Sequence, residues 1–321
     1  MRSVWTLGLV VGLSALGATA CSIETSDAEK YREPLPAEGS VALRVPGGSG
    51  ASATSTRDLN GGGGPSATVS DAKFYSFTRE LTSAMDQNTG AILAIIWAVA
   101  QTTPTSVYPN RAVWGPYQGT ALEPVTWRLV VSEGGSGEYD YALEGRARNS
   151  TNDADFRAVL KGRGYGKSHA LHQTGWLEAD NEAFRSLDPA KAKDFGKTKV
   201  TYDVRQFPKT IAVDFVPDDG VGKATAKVSH LAQGAGVLDV TANADIEKDA
   251  DKDGKLETVV LKSQWNASGA GRADVSVSGG SFNGTPVDIV ECWSSSFSLA
   301  YYKDSVSAQP KTGAESACAS F

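Results

Sequence analysis

The chain is poor in the side chains that carry most nucleophilic and metal chemistry. Its 321 residues hold three histidines, His169, His172 and His230, and three cysteines, Cys21, Cys292 and Cys318. A zinc centre usually needs three protein ligands. His169 and His172 form an H-x-x-H pair with no nearby Glu in the zincin arrangement, so they read as loop residues beside a glycine turn. No G-x-S-x-G nucleophile elbow occurs, and no nucleophile and base pair stands out. Gly166-Lys167-Ser168 matches the end of a phosphate-binding loop, but Lys161 stands where that loop needs its first Gly. Gly162, Gly164 and Gly166 therefore read as a turn between strands. There is no run of five or more basic residues and the net charge is −6, a balance that speaks against nucleic acid as a partner. Nothing here points to an enzyme.

What the chain does have begins at its N-terminus. Arg2, an apolar run from Val4 to Ala15 and the small residues Gly17-Ala18-Thr19-Ala20 make an export signal that ends at Cys21. The apolar run is too short to span a bilayer. A cysteine directly after the cut resembles the lipobox of bacterial lipoproteins, in which that thiol is acylated. The family prefers Leu where this chain has Ala18, and Ala18-Thr19-Ala20 is also an A-x-A site for release of a soluble secreted protein. The odd cysteine count favours acylation: one lipid on Cys21 leaves Cys292 and Cys318 as an even pair, which an oxidising compartment joins as a disulfide. Ser22, where inner-membrane lipoproteins carry Asp, implies the outer membrane by the same resemblance.

These features divide the chain into a signal peptide at 1–20, a lipid anchor and Gly/Pro/Ser tether at 21–68, and a single β-rich domain at 69–321. The tether assignment rests on Pro34, Pro36, Pro46, Pro65 and two glycine-rich runs, a composition that cannot bury enough apolar surface to offset chain entropy. Within it, Gly39 to Val45 alternates and could dock as a short strand. Leu81, Met85, Ile92, Ile95, Ile96 and Val99 recur at helical spacing and predict one long helix over about 77–102. Its second half, Ala91 to Ala100, is apolar all round, a pattern expected of a helix buried on every side. Beyond Pro104, ten segments read as short strands between Gly, Pro, Asn and Asp turns. They are 125–131, 139–145, 156–163, 200–204, 211–216, 224–228, 237–242, 256–265, 273–278 and 287–294. A short helix is expected between Asp180 and Asp188, stopped by Pro189.

The fold class that follows is mainly β: a large curved antiparallel meander, a half-barrel or open barrel, clasping one long apolar helix, with a short second helix. This layout resembles the half-barrel of bacterial lipoprotein carriers, which implies an apolar cavity and an apolar ligand. Trp114-Gly115-Pro116, the stretch from Gly175 to Pro189, Trp265 with Gly269 to Asp274, and Glu291-Cys292-Trp293 resemble a recurrent pattern in uncharacterised bacterial envelope lipoproteins, which implies no particular activity. Trp114, Tyr117 and Trp127 are candidates either to line a cavity mouth or to pack in the core. One metal motif remains. Asp249, Asp251 and Asp253 followed by Gly254 match the opening of an EF-hand-type loop, with the Lys255 carbonyl and Glu257 as further calcium ligands. The twelfth position is Val260 instead of a bidentate Glu, so a solvated hairpin turn at Asp253-Gly254 is the alternative. The functional expectation is a lipid-anchored, non-catalytic envelope module with a structural or interaction role, or a carrier of an apolar ligand. Protein partners are not legible.

Overall fold

The structure, a computed structural model, describes residues 28–36, 41, 72–118, 123–189, 196–217, 222–244, 255–280 and 282–321. Helix α1 spans Lys73–Ala100 and α2 spans Asn181–Leu187. Fourteen strands follow in an antiparallel meander whose spatial order is the sequence order, and the sheet does not close on itself. Two compact units divide the chain: Met1–Ala42 with Ala84–Val221, and Leu43–Ser83 with Gly222–Phe321.

The first unit holds β1 (Ser106–Tyr108), β2 (Arg111–Gln118), β3 (Val125–Glu133), β4 (Glu138–Ala147), β5 (Arg157–Tyr165), β6 (Thr174–Asp180), β7 (Lys197–Asp203) and β8 (Lys209–Val216). The second holds β9 (Ala224–His230), β10 (Gly236–Ala244), β11 (Glu257–Trp265), β12 (Gly271–Gly279), β13 (Phe282–Trp293) and β14 (Leu299–Asp304). All ten segments read as strands from the sequence form strands; β1, β2, β6 and β14 are additional.

Alternation decides which face packs. In β12, Gly271, Ala273, Val275 and Val277 are buried while their neighbours are not, and β4 buries Tyr139, Tyr141, Leu143 and Gly145 in the same alternation until Arg146, which is buried as well. On this face several aromatic residues are set directly across from glycines. Trp127 faces Gly145, Tyr139 faces Gly164, Tyr141 faces Gly162, and Tyr202 faces Gly175. In the second unit, Gly236, Trp265, Gly271 and Trp293 form one rung across β10 to β13. Each ring of that rung lies over the glycine beside it, so that a Cβ on Gly236 or Gly271 would collide with an indole. Gly in a strand interior forfeits packing of its own; here the neighbouring aromatic supplies it, as cross-strand pairs do. Trp265 and Trp293 also donate their indole N–H to Gly234 and Gly269 carbonyls, at 3.1 and 2.9 Å.

The glycines of β5 correct the turn expected at Gly162–Gly166. Gly162 and Gly164 lie inside the strand, on its buried face, and only Gly166 lies beyond its end. On the opposite face, Lys161, Glu178, Lys199 and Asp214 are in register across four strands, alternating in charge, and Lys161 Nζ is 3.1 Å from Glu178. Such cross-strand pairs contribute roughly 0.2–1 kcal/mol each.

Helix α1 begins under a buried carboxylate. Glu291 on β13 accepts the backbone N–H groups of Lys73 (2.9 Å), Phe74 (2.7 Å) and Tyr75 (3.3 Å). Those donors have no partner inside a helix, and a negative charge complements the positive end of its dipole. Thr78 Oγ1 donates to Ser263 Oγ at 2.9 Å, and Tyr75 packs between Trp293 and Phe297. The far end of α1 corrects the expectation of burial on every side. Leu93, Ile96, Val99 and Ala100 are buried, but Ala98 is exposed and Trp97 is partly so. Helix α2 starts at the N-cap Asp180, whose carboxylate accepts from Ala183 N at 2.9 Å.

Each outer strand takes a contact from outside the sheet. Beside β1, Tyr31 donates its hydroxyl to the Tyr108 carbonyl at 3.0 Å. Beside β14, Tyr302 N donates to Thr312 O at 3.0 Å and Lys311 Nζ reaches Asp304 at 2.5 Å. The bond between Cys292 and Cys318, with S–S 2.09 Å across a separation of 26 residues, pins this tail to β13.

Candidate functional site

In the first unit a cavity of about 290 Å³ lies beside a short segment, residues 28–36, that fell inside the expected tether. This strap is packed instead of free: Ala28, Tyr31 and Leu35 are buried. Their spacing of three and four is helical, and the strap opens with helix at Ala28 and Glu29 before turning through to Pro34. Arg32 fixes it to α1. Its Nε donates to the Ala100 carbonyl at 2.6 Å and its Nη2 to the Thr102 carbonyl at 2.9 Å. The last carbonyls of a helix have no partner within it, and a guanidinium satisfies both their hydrogen bonding and their partial negative charge.

Four further contacts seat the strap. Trp97 Nε1 donates to Pro36 O at 2.5 Å, and Lys167 N donates to Glu33 Oε2 at 3.2 Å. Lys30 Nζ meets Glu133 at 2.5 Å, and Tyr31 packs edge-on against Tyr139 with centroids 6.0 Å apart. Gly164 makes the approach feasible, because a Cβ there would fall on the Pro34 carbonyl. Leu35, Trp97, Tyr202 and Val204 supply apolar walls to the cavity, and Arg32 and His172 are among its polar lining. Tyr202 is hydrogen-bonded with Tyr141, and burial pushes both phenols above the ordinary tyrosine range, so both stay protonated at neutral pH. The site therefore offers the neutral Tyr202 phenol and the Arg32 guanidinium beside apolar surface.

The other sequence candidates are dispersed. Cys21 lies outside the described residues, as do Asp249, Asp251 and Asp253. Of the two remaining calcium candidates, Lys255 is exposed, while Glu257 is fully buried on the same face of β11 as Leu261 and Ser263, against Gly280. Among the described residues no cluster of three or more His, Cys, Asp or Glu side chains is placed to hold a metal ion. His172 Nδ1 lies 3.0 Å from the Tyr165 carbonyl, and His169 stacks on the Tyr165 ring at 4.7 Å. Trp114 is fully buried and donates to the Thr102 carbonyl at 2.9 Å, so it belongs to the core and not to a mouth; Tyr117 and Trp127 are half-buried. Trp127 stacks on Phe184 of α2 at 5.9 Å. Among the described residues no helix is long and apolar enough to cross a membrane.

Sequence reasoning missed the strap, Arg32 and the capping role of Glu291. The strap had a signal in Ala28, Tyr31 and Leu35, outweighed by Pro34 and Pro36. Glu291 had one too, as an acid in phase with the buried positions of a strand. Arg32 had none, since its partners lie 68 and 70 residues away.

No protein-family model, no curated protein and no solved structure matches the chain.

Proposed function

We propose that the protein is a lipid-anchored, non-catalytic module of the bacterial envelope, carried on the outer membrane by an acyl group on Cys21 and serving a structural or interaction role. The observation that carries this reading is the strap. It fastens the chain into the first unit seven residues after Cys21, so tension on an N-terminal lipid passes directly to a folded body through Arg32, Tyr31 and Trp97. The filled inner faces add support: Trp114, Tyr141, Trp265 and Trp293 are all buried, which leaves outward surfaces for partners. Labelling of cells with a fatty-acid probe tests the reading. The wild-type chain should take up the probe and a Cys21→Ala variant should not. Equal labelling, or turnover of ester, glycan or peptide substrates by the purified chain, would overturn it.

A second reading, a half-barrel carrier of an apolar ligand, is favoured by the cavity beside the strap. At about 290 Å³ it stands near the lower limit of small-molecule pockets, roughly 300–1,000 Å³. Native mass spectrometry separates the two: a co-purified apolar ligand lost when Trp97 is replaced by Ala supports the carrier.

A further inference from the structure

One rim of the first unit is set apart by its exposed side chains. In a meander, alternate hairpins fall at the same end of the sheet, and here these are the β1–β2, β3–β4, β5–β6 and β7–β8 connections. Backbone hydrogen bonds join them into a continuous edge: Glu133 N to Asn110 O at 2.8 Å, Gly166 N to Gly137 O at 3.0 Å, and Val204 N to Gln173 O at 3.1 Å. Among the described residues of this unit, the exposed large apolar side chains are Tyr108 (43 %), Leu171 (37 %), Phe207 (55 %) and Val216. The first three sit on this rim.

Cations accompany the two aromatic rings. Arg111 Cζ lies 4.6 Å from the Tyr108 ring centroid and Lys209 Nζ lies 5.3 Å from that of Phe207. The carboxylates nearby are engaged, Glu133 with Lys30, Glu138 and Asp140 together with Arg163, Asp203 with Arg205, and Glu33 with the backbone N–H of Lys167. The side chains of Arg111, Lys167 and Lys209 form no ion pair with a carboxylate among the described residues. Apolar tips beside cations that form no ion pair are the composition of a surface that meets a bilayer interface, where aromatic rings sit at headgroup depth and basic residues are attracted to an anionic leaflet.

The N-terminal strap reaches this same rim, through Tyr31 on Tyr108, Lys30 on Glu133 and Glu33 on Lys167. Cys21 precedes Ala28 by seven residues, a reach of at most about 25 Å when fully extended. An acyl group on Cys21 thus confines this rim to the vicinity of the bilayer, whereas the composition of residues 21–68 suggests a long stalk. We propose that the rim bearing Tyr108, Leu171 and Phe207 is a membrane-contact surface that seats the first unit on an anionic lipid leaflet. The proposal rests on acylation of Cys21, and the lipid of that anchor is what brings the rim to its partner.

The test uses the full mature chain purified from the membrane and reconstituted in vesicles of phosphatidylethanolamine and phosphatidylglycerol. A nitroxide is attached at Phe207→Cys, at Lys209→Cys as a second rim site, and at Val216→Cys as the control away from the rim. Contact with lipid raises collisions with oxygen and lowers collisions with a water-soluble nickel chelate. The oxygen-to-nickel ratio at 207 and 209 should exceed that at 216 several-fold, and Arg111→Glu with Lys167→Glu should reduce the difference. Equal, water-like ratios at all three sites in a chain that carries its acyl group would overturn the rim proposal and leave the anchor standing. A chain that carries no acyl group would overturn both.

Discussion

Replacing Glu291 with Ala should release the start of α1. The carboxylate takes three backbone N–H groups, and the contact with Tyr75 N is buried. Lys73 is exposed, so water recovers its donor; those of Phe74 and Tyr75 are left poorly satisfied. Each buried donor without a partner costs about 1–3 kcal/mol. Relief from burying a charge offsets part of this, which puts the loss at about 2–4 kcal/mol, or roughly 5–15 °C in melting temperature. Urea unfolding followed by tryptophan fluorescence reads it directly, because Trp293 lies 5.4 Å from Tyr75. Glu291→Gln keeps the oxygen that serves Phe74 and Tyr75 but presents an amide NH₂ to Lys73, and should cost less, about 1–2 kcal/mol. The pH dependence gives an independent check. Burial holds the Glu291 pKa above the ordinary glutamate value, against the opposing pull of the three N–H donors. The folded protein then binds this proton more tightly than the unfolded chain does. The associated stability is full below the unfolded-state pKa and is lost as pH rises through the folded one. Subtracting the pH profile of the Glu291→Gln variant from that of wild type should isolate that decline. A Glu291→Ala protein within about 0.5 kcal/mol of wild type, the range of surface substitutions, would refute the capping role.

Two further perturbations probe the parts that hold the chain's ends. Gly164→Ala puts a methyl group on the Pro34 carbonyl, so the strap must shift at a cost of about 1–3 kcal/mol. Trypsin should then cut after Lys30 or Arg32 faster than in wild type, and an unchanged rate would contradict the seating described. Cys318→Ser opens a 26-residue loop and should cost about 3.5 kcal/mol in the chain-entropy account. It should also speed hydrogen exchange at Tyr302, whose N–H donates to Thr312, and promote association through the uncovered β14 edge. Equal exchange in the two proteins would show that the tail stays in place without its bond.

How far the sequence could be read follows from which contacts are local. Strands with an apolar residue at every second position, such as Val125 to Val131, declare themselves. Strand β1 is three residues long, β2 is broken by Gly115-Pro116, and β6 runs straight into α2 through Asp180, so none offers a long period of two. The glycines of β5 misled for a physical reason: a Gly on the buried face looks like a turn residue until the ring that covers it is known, and that ring belongs to the next strand. The pattern of Trp265, Gly269 to Asp274 and Glu291-Cys292-Trp293 was visible as a pattern only. Its meaning is tertiary: a Trp–Gly rung, an indole bond to the Gly269 carbonyl, an Arg272–Asp274 ion pair at 2.7 Å, a helix cap and a disulfide. The disulfide was legible by counting cysteines. The cavity and strap were not, since they join residues 28–36 to α1 and β5, far along the chain.

The central claim is that Cys21 carries a lipid and that the folded body sits close behind it. Intact mass of the mature N-terminal peptide, released by trypsin from protein extracted from the membrane fraction, tests this most directly. An acylated chain yields a peptide beginning at Cys21 with the added mass of a diacylglyceryl group. A peptide that begins at Cys21 with an unmodified thiol would make this a secreted soluble protein and contradict the account.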